Sequence, residues 1–261
     1  MQLPPGKKIY FLSDFHLGAP NREQSLAREK RIVLFLDSIK HDAHTVFIAG
    51  DMFDFWYEYR QVVPRGYVRL LGKLAELTDA GILMHFFVGN HDMWMQNYFQ
   101  NEMNMEVHFA PARFEFDGKK FLVGHGDGLG PGDSGYKILK KLFRNPACQW
   151  LFGILPPAIG IGVANYFSKK SRDADKSTEE VFLGEEKEWL IIYAKEVLKK
   201  DHFDFFVFGH RHLPIDFRLS SESRYINLGE WMNYSTYAVY QNGMMELKSF
   251  TGKEEKIYKN W

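Results

Sequence analysis

The sequence predicts an α/β fold of the α+β kind, in which two mixed β-sheets pack face to face and helices flank them. Three observations carry this. Short apolar runs alternate with amphipathic segments over residues 8–92, a βαβαβ rhythm that implies a parallel sheet covered on both faces. Strand-like runs return at residues 113–116, 121–124 and 203–208, followed by three short alternating runs to residue 250. Between them the texture turns helical and rich in Gly, Pro and Lys.

Residues 8–13 read as a buried strand stopping at Asp14. Residues 23–40 read as a helix, with Leu26, Ile32, Val33, Leu36 and Ile39 at helical spacing. Residues 45–49 form the next strand, 68–80 a helix stopped by Gly81, and 82–88 a strand ending at Gly89 and Asn90. The runs at 223–228, 236–240 and 244–250 look like a second sheet at the C-terminal end. Residues 136–143 and 185–200 read as helices, and 150–167 as an apolar stretch broken by Gly and Pro. The region 128–200 is therefore expected to be a helical cap insertion within one domain spanning 1–261, with residues 252–261 a charged extension.

Composition narrows the class. The 261 residues are 45% hydrophobic and 25% charged, the balance of a globular protein. Net charge is +0, so no global field favours nucleic acid, and none is expected as partner. Aromatics reach 16%, with 23 Phe, a surplus that needs a use in the core or on a lipid- or ligand-facing surface. Cys148 is the only cysteine, which excludes an intrachain disulfide and suits a reducing compartment. No signal-peptide pattern and no run of about 20 apolar residues is present, so a cytoplasmic protein is expected.

Polar residues collect where the predicted strands end: Asp14 and His16, then Asp51 after Gly50, then Asn90, His91 and Asp92, then His125 and Asp127, then His210 and His212. In α/β sheets, sites form beyond the carboxyl ends of strands. Residues two apart on an extended end, such as Asp14 and His16 or His210 and His212, face one side. Asp14, His16, Asp51, Asn90, His125, His210 and His212 offer mixed O and N donors, too many for one ion and suited to two divalent ions sharing a carboxylate. Without thiolate, the set fits Mn, Fe or Zn, and the donor types do not choose among them.

These segments, D-x-H, G-D, G-N-H-D, G-H and G-H-x-H in this order, resemble the calcineurin-like metallophosphoesterase superfamily. The resemblance implies a four-layer metallophosphoesterase sandwich. It implies that Asp14, His16 and His212 hold one metal, that Asn90, His125 and His210 hold the other, and that Asp51 bridges. His91 would be an acid on the leaving oxygen or a stabiliser of the transition state, oriented by Asp92. A narrower resemblance, to the UDP-2,3-diacylglucosamine hydrolase family, rests on residues 50–56, on His125–Leu129 with Asp133 and Tyr136, on 209–214, on 228–231 and on the basic Ser/Lys segment of the insertion. It implies cleavage of a nucleotide-diphospho-lipid to UMP and 2,3-diacylglucosamine 1-phosphate in lipid A synthesis, with Asp133, Ser171 and Lys176 touching substrate. His91 departs from the Arg of that family's better-known members.

Other readings stand beside these. The chain could be a metallophosphatase or phosphodiesterase for a water-soluble substrate, or a binding module without catalysis. The stretch 150–167 could be a buried helix pair or an acyl-chain slot. With Lys137, Lys140, Lys141, Arg144, Lys169, Lys170 and Arg172 beside it, it resembles a peripheral patch on the cytoplasmic membrane face. Asp54 reads as a first-turn helix residue, and Asp127 as orienting a ligand or the loop. His41, His44, His85, His108 and His202 fit no motif and are expected to be structural or exposed. The oligomeric state stays open.

Overall fold

A computed structural model describes residues 1–131, 134–175, 181–251 and 257–260. The strands fall into two six-stranded sheets. The first is built on β1 (Lys8–Leu12), β2 (Ala43–Ile48), β3 (Leu83–Phe87) and β4 (Glu106–His108), all parallel, with β10 (Thr236–Gln241) antiparallel to β1 and β11 (Met244–Ser249) beyond it. The second runs β12 (Tyr258–Lys259), β8 (Pro214–Arg218), β9 (Arg224–Leu228), β7 (Phe205–Phe208), β6 (Lys119–Gly124) and β5 (Ala112–Phe116).

Each parallel step of the first sheet needs a crossover. The helices α1 (Arg22–Ile39) and α2 (Val68–Asp79) supply two of them, and the short α3 (Tyr98–Met103) precedes β4. Asn21 caps α1 by accepting from the Gln24 amide. Their apolar faces (Ile32, Phe35, Leu36; Leu70, Leu74, Leu77) cover the sheet's outer side together with Trp56 and Trp231. The helix α7 (Trp189–Leu198) covers the second sheet through Leu190, Ile191 and Ala194.

The layer between the sheets uses much of the aromatic surplus. Phe11 stacks on Phe47 and Phe121, Phe121 on Phe205, and Tyr240 meets Phe121 edge-on. Fully burying one such side chain contributes about 1.5–3 kcal/mol. The result is helix, sheet, sheet, helix, with both sheets mixed in direction, as the sequence predicts.

The differences are local. The three C-terminal runs do not form one sheet: β9 joins the second sheet, whereas the hairpin β10–β11 extends the first. Alternation says that a strand has one wet and one dry face, not which neighbour it pairs with. The strands β4, β8 and β12 are too short or too polar at their ends to show in periodicity. Within the charged tail, Tyr258 and Lys259 pair with Ile215 and Asp216.

From residue 134 the chain forms α4 (Ser134–Phe143), α5 (Pro146–Ile154) and α6 (Pro157–Asp175) before returning to α7. The α5–α6 pair is not a buried one: α5 has no buried residue, and Trp150, Leu151, Ile154, Ile159, Tyr166 and Phe167 are exposed. It rests on the body through rings, with Phe152 against Tyr57 and Trp94, and through Tyr57 donating to the Gln149 carbonyl. Among the described residues no helix is long and apolar enough to cross a membrane.

Candidate metal centre

The strand ends meet at one place. β1 ends before Asp14 and His16, β2 before Asp51, β3 before Asn90, β6 before His125 and β7 before His210 and His212. Five of these seven residues, Asp14, His16, Asp51, His210 and His212, have positive φ, between 44° and 67°. That region costs a non-glycine residue about 1–3 kcal/mol and survives only where the surroundings over-determine it. Here the backbone does so: the Asp14 amide donates to the Gly50 carbonyl, the His16 amide to the Asp51 carbonyl, and the Trp231 amide to the Asp14 carbonyl. Close approach also requires glycine here: a Cβ on Gly89 would strike Asp51, and one on Gly209 would strike Ser13 and Asp14.

The donor atoms form two groups. In the first, Asp14, His16, Asp51 and His212 offer atoms all within 4.8 Å of one another. His16 Nε2 is 3.0 Å from His212 Nε2, and Asp14 Oδ1 is 3.2 Å from His212 Nε2 and 3.6 Å from His16 Nε2. In the second, Asn90 Oδ1 is 2.9 Å from His125 Nε2 and 3.0 Å from His210 Nδ1. Asp51 Oδ2 stands between them, 3.3 Å from His125 Nε2 and 3.7 Å from His16 Nε2. Two donors each about 2.1 Å from one cation and at right angles are about 3 Å apart, so these separations fit shared ions.

Electrostatics agrees with a cation. Asp14 Oδ1 and Asp51 Oδ2 are buried and accept no hydrogen bond, a state that costs about 1–3 kcal/mol or more for a charged group. Burial pushes the Asp51 carboxyl up, but the imidazoles of His125, His91 and His16 hold it well below the usual range. His125 is the counterpart: burial opposes its charge, yet Asp51 raises it to about 10, an imidazolium whose Nε2 proton a cation must displace before the ring can ligate. Its Nδ1–H donates to the Ala49 carbonyl at 2.8 Å, which aims Nε2 at Asn90 and Asp51. Burial lowers His16 and His210 to about 4, leaving both rings neutral and able to ligate. The donor set therefore fits divalent metal use.

His91 lies beside this centre, its ring 4.8 Å from that of His16. Its Nδ1 is 2.8 Å from Ser168 Oγ and 3.1 Å from the Asp54 carbonyl. Ser168 donates to the same carbonyl at 2.7 Å, and its oxygen can accept from the ring. Asp54 is not in a helix; it lies in the loop after β2 with Oδ1 3.7 Å from His91 and 3.8 Å from His16. Asp92 makes its hydrogen bonds elsewhere than to His91: it accepts from the Met52, Phe53 and Gly89 amides, binding the β2 and β3 turns together. Burial and the charge of Asp51 push it up to about 8. Asp127 pairs with Lys140 of α4 and stays out of both donor groups.

Ser171 lies in α6, and its side chain is outside the described residues, as are Asp133 and Lys176. A cavity of about 480 Å³ opens at the amino ends of β6, β7 and β9 and shares no lining residue with the centre. One of about 200 Å³ backs onto it, lined by His125, Asp127, Lys140 and Arg144.

Two contributors escaped the sequence reading. Ser168 was legible only as part of a polar segment. Arg211 is buried between His210 and His212 and paired with Glu188. An arginine flanked by two candidate donor histidines at a strand end is itself a signal that an acidic partner is needed nearby.

Comparison with known proteins accords with this geometry. The chain is 39% identical over 259 residues to the UDP-2,3-diacylglucosamine hydrolase of Porphyromonas gingivalis, covering 95% of this chain and 99% of that one. It is 27% identical to the enzyme of the same name from Histophilus somni, covering 86% of this chain and 92% of that one. A profile of the calcineurin-like phosphoesterase family matches residues 7–214, and the chain belongs to that family.

Proposed function

We propose that the protein is a two-cation hydrolase that cleaves the pyrophosphate bond of UDP-2,3-diacylglucosamine, giving UMP and 2,3-diacylglucosamine 1-phosphate. The observation that carries the chemistry is the position of Asp51 Oδ2, which accepts no hydrogen bond and stands between the His16 and His125 nitrogens. Asp14, His16 and His212 would hold one divalent cation, Asn90, His125 and His210 the other, and Asp51 would serve both; Mn²⁺ is the proposed pair. When bound, such a pair supplies charge stabilisation for the phosphoryl oxygens and a nucleophilic water.

The chain's own residues do the rest. His91 donates Nδ1–H to Ser168 and the Asp54 carbonyl, so the neutral ring presents Nε2 as an acceptor. It takes a proton at Nε2 from solvent and passes it to the leaving phosphate oxygen as the P–O bond breaks and the water oxygen bonds to phosphorus, the attacking water's own proton passing to solvent. Asp92 fixes the turn that carries His91 through the Gly89, Met52 and Phe53 amides.

The lipid half of the substrate is supported by the helices after β6, a cap over the site. Trp150, Leu151, Ile154, Ile159 and Phe167 expose apolar surface on α5 and α6, and Lys137, Lys140, Lys141 and Arg144 precede it on α4 and the following turn. A water-soluble substrate gives no reason for such a surface. It suits acyl chains, each buried methylene contributing about 0.8 kcal/mol, and peripheral contact with an anionic membrane face. Substrate contacts from Asp133, Ser171 and Lys176 belong to the same proposal.

The direct test is incubation with Mn²⁺ and UDP-2,3-diacylglucosamine. UMP and the lipid phosphate are the expected products. Turnover of simple phosphodiesters with no action on the diacylated nucleotide would refute the substrate and keep the metal chemistry.

A further inference from the structure

Outside the centre, one cluster of ligating side chains is built into the sandwich edge. β3 and β4 run parallel, with His85 opposite Glu106 and Phe87 opposite His108. Residues two apart on a strand share a face, so His85 and His108 stand on the same side as Phe87 and Glu106. His85 stacks on Phe47 with ring centroids 4.7 Å apart, and His108 on Phe87 at 4.6 Å. Phe114 of β5 lies 5.2 Å from the first ring and 5.7 Å from the second. Both imidazoles are thus held by aromatic walls with their nitrogens turned toward each other.

His85 Nδ1 is 3.1 Å from His108 Nε2. Glu106 places Oε2 3.3 Å from the first nitrogen and Oε1 3.5 Å from the second. We propose that His85, Glu106 and His108 form a divalent-cation site on this edge, separate from the strand-end centre and taking a first-row transition ion of the zinc class. The three separations are those of donors sharing one ion at about 2.1 Å. Two imidazoles and a carboxylate suit Zn²⁺, Co²⁺ or Ni²⁺ over Mg²⁺ or Ca²⁺. The histidine side chains are 12% and 13% exposed and Glu106 64%, so an ion reaches the site from solvent and keeps water on its open side. Burial holds both rings unprotonated, His85 falling to about 4, which leaves nitrogen lone pairs for the ion at neutral pH. Its consequence is mechanical. β4 is a three-residue edge strand, and an ion there ties it to β3 across the ladder.

The competing arrangement is a His85–His108 pair sharing one proton, with Glu106 as an exposed neighbour and no affinity for cations. The full chain is titrated with Zn²⁺ alone, and bound metal is counted per chain after dialysis. His108→Gln is expected to bind one equivalent fewer than the parent while keeping phosphoesterase activity. Glu106→Gln changes an exposed side chain, so folding is not at issue. It is expected to weaken that same equivalent at least about tenfold, as losing an oriented ligand does. Identical zinc stoichiometry and affinity in the parent and Glu106→Gln chains would overturn the site, whatever the centre binds.

Discussion

Arg211 and Glu188 form a buried ion pair, Nε to Oε2 at 3.1 Å with a second contact from Nη2 to Oε1 at 3.2 Å. Arg211 also donates to the Val181 carbonyl, and Glu188 accepts from the Leu183 amide. The pair therefore fastens the loop carrying His210 and His212 to the segment entering α7. Glu188→Ala leaves a buried guanidinium without its carboxylate, which costs about 3–5 kcal/mol. The expected outcome is a lower unfolding midpoint together with weaker Mn²⁺ binding. A destabilised chain with unaltered Mn²⁺ affinity would show that the pair serves the fold alone.

Asp51→Asn removes the charge that the two donor groups share. Hydrolysis should vanish and the Mn²⁺-induced rise in melting temperature should shrink, measured on one sample by activity and calorimetry. Retained metal stabilisation would place the bridging role elsewhere.

His91→Ala should lower kcat by about 10²–10⁴ while Mn²⁺ still binds. Ser168→Ala, which removes one of two acceptors at Nδ1, should give a smaller loss in kcat with KM little changed. If Ser168→Ala instead raised KM alone, its hydroxyl would be a substrate contact and not a holder of the ring.

Serine at Trp150, Leu151 and Ile154 together should cripple turnover of diacylated substrate and binding to anionic vesicles, yet spare a water-soluble ester. These side chains are exposed, so folding should be little affected. Equal losses on both substrates would remove the lipid argument.

Asp204 offers a pH test away from the centre. It accepts from Lys119 Nζ and the Lys120 amide, both at 2.8 Å. Burial raises its pKa, but the lysine and the amide outweigh this and hold it below the usual carboxylate value. The unfolded chain thus takes up the proton first as pH falls. The stabilisation is complete above the unfolded value of about 4 and is lost as pH drops through the folded one. Asp204→Asn should cost about 1–3 kcal/mol near neutrality, and the difference from the parent should close toward pH 3 in denaturant titrations.

The donor residues were legible because chemistry confines them to a few side-chain types at strand ends, and five such ends recur in one order. The sheet partners were not: residues 224–228 and 236–241 share one alternating texture yet enter different sheets. Pairing is decided by contacts far apart in sequence. For the same reason, the Asp92 carboxylate looks like a partner for its neighbour His91, while space delivers it to Met52 and Phe53. Nor does anything near residue 168 announce that its hydroxyl will reach residue 91.

β1 has β2 on one side and β10 on the other, and the Asp14 carbonyl waits for the Trp231 amide. A nascent chain emerging from the ribosome accordingly holds every donor of the centre while the strand that opens it still has a bare flank. Completion of the donor face is thus deferred until residues 231–249 are made, and premature release of the polypeptide would yield a body with every donor residue but without the Trp231 contact and the β10 flank that complete the setting of Asp14.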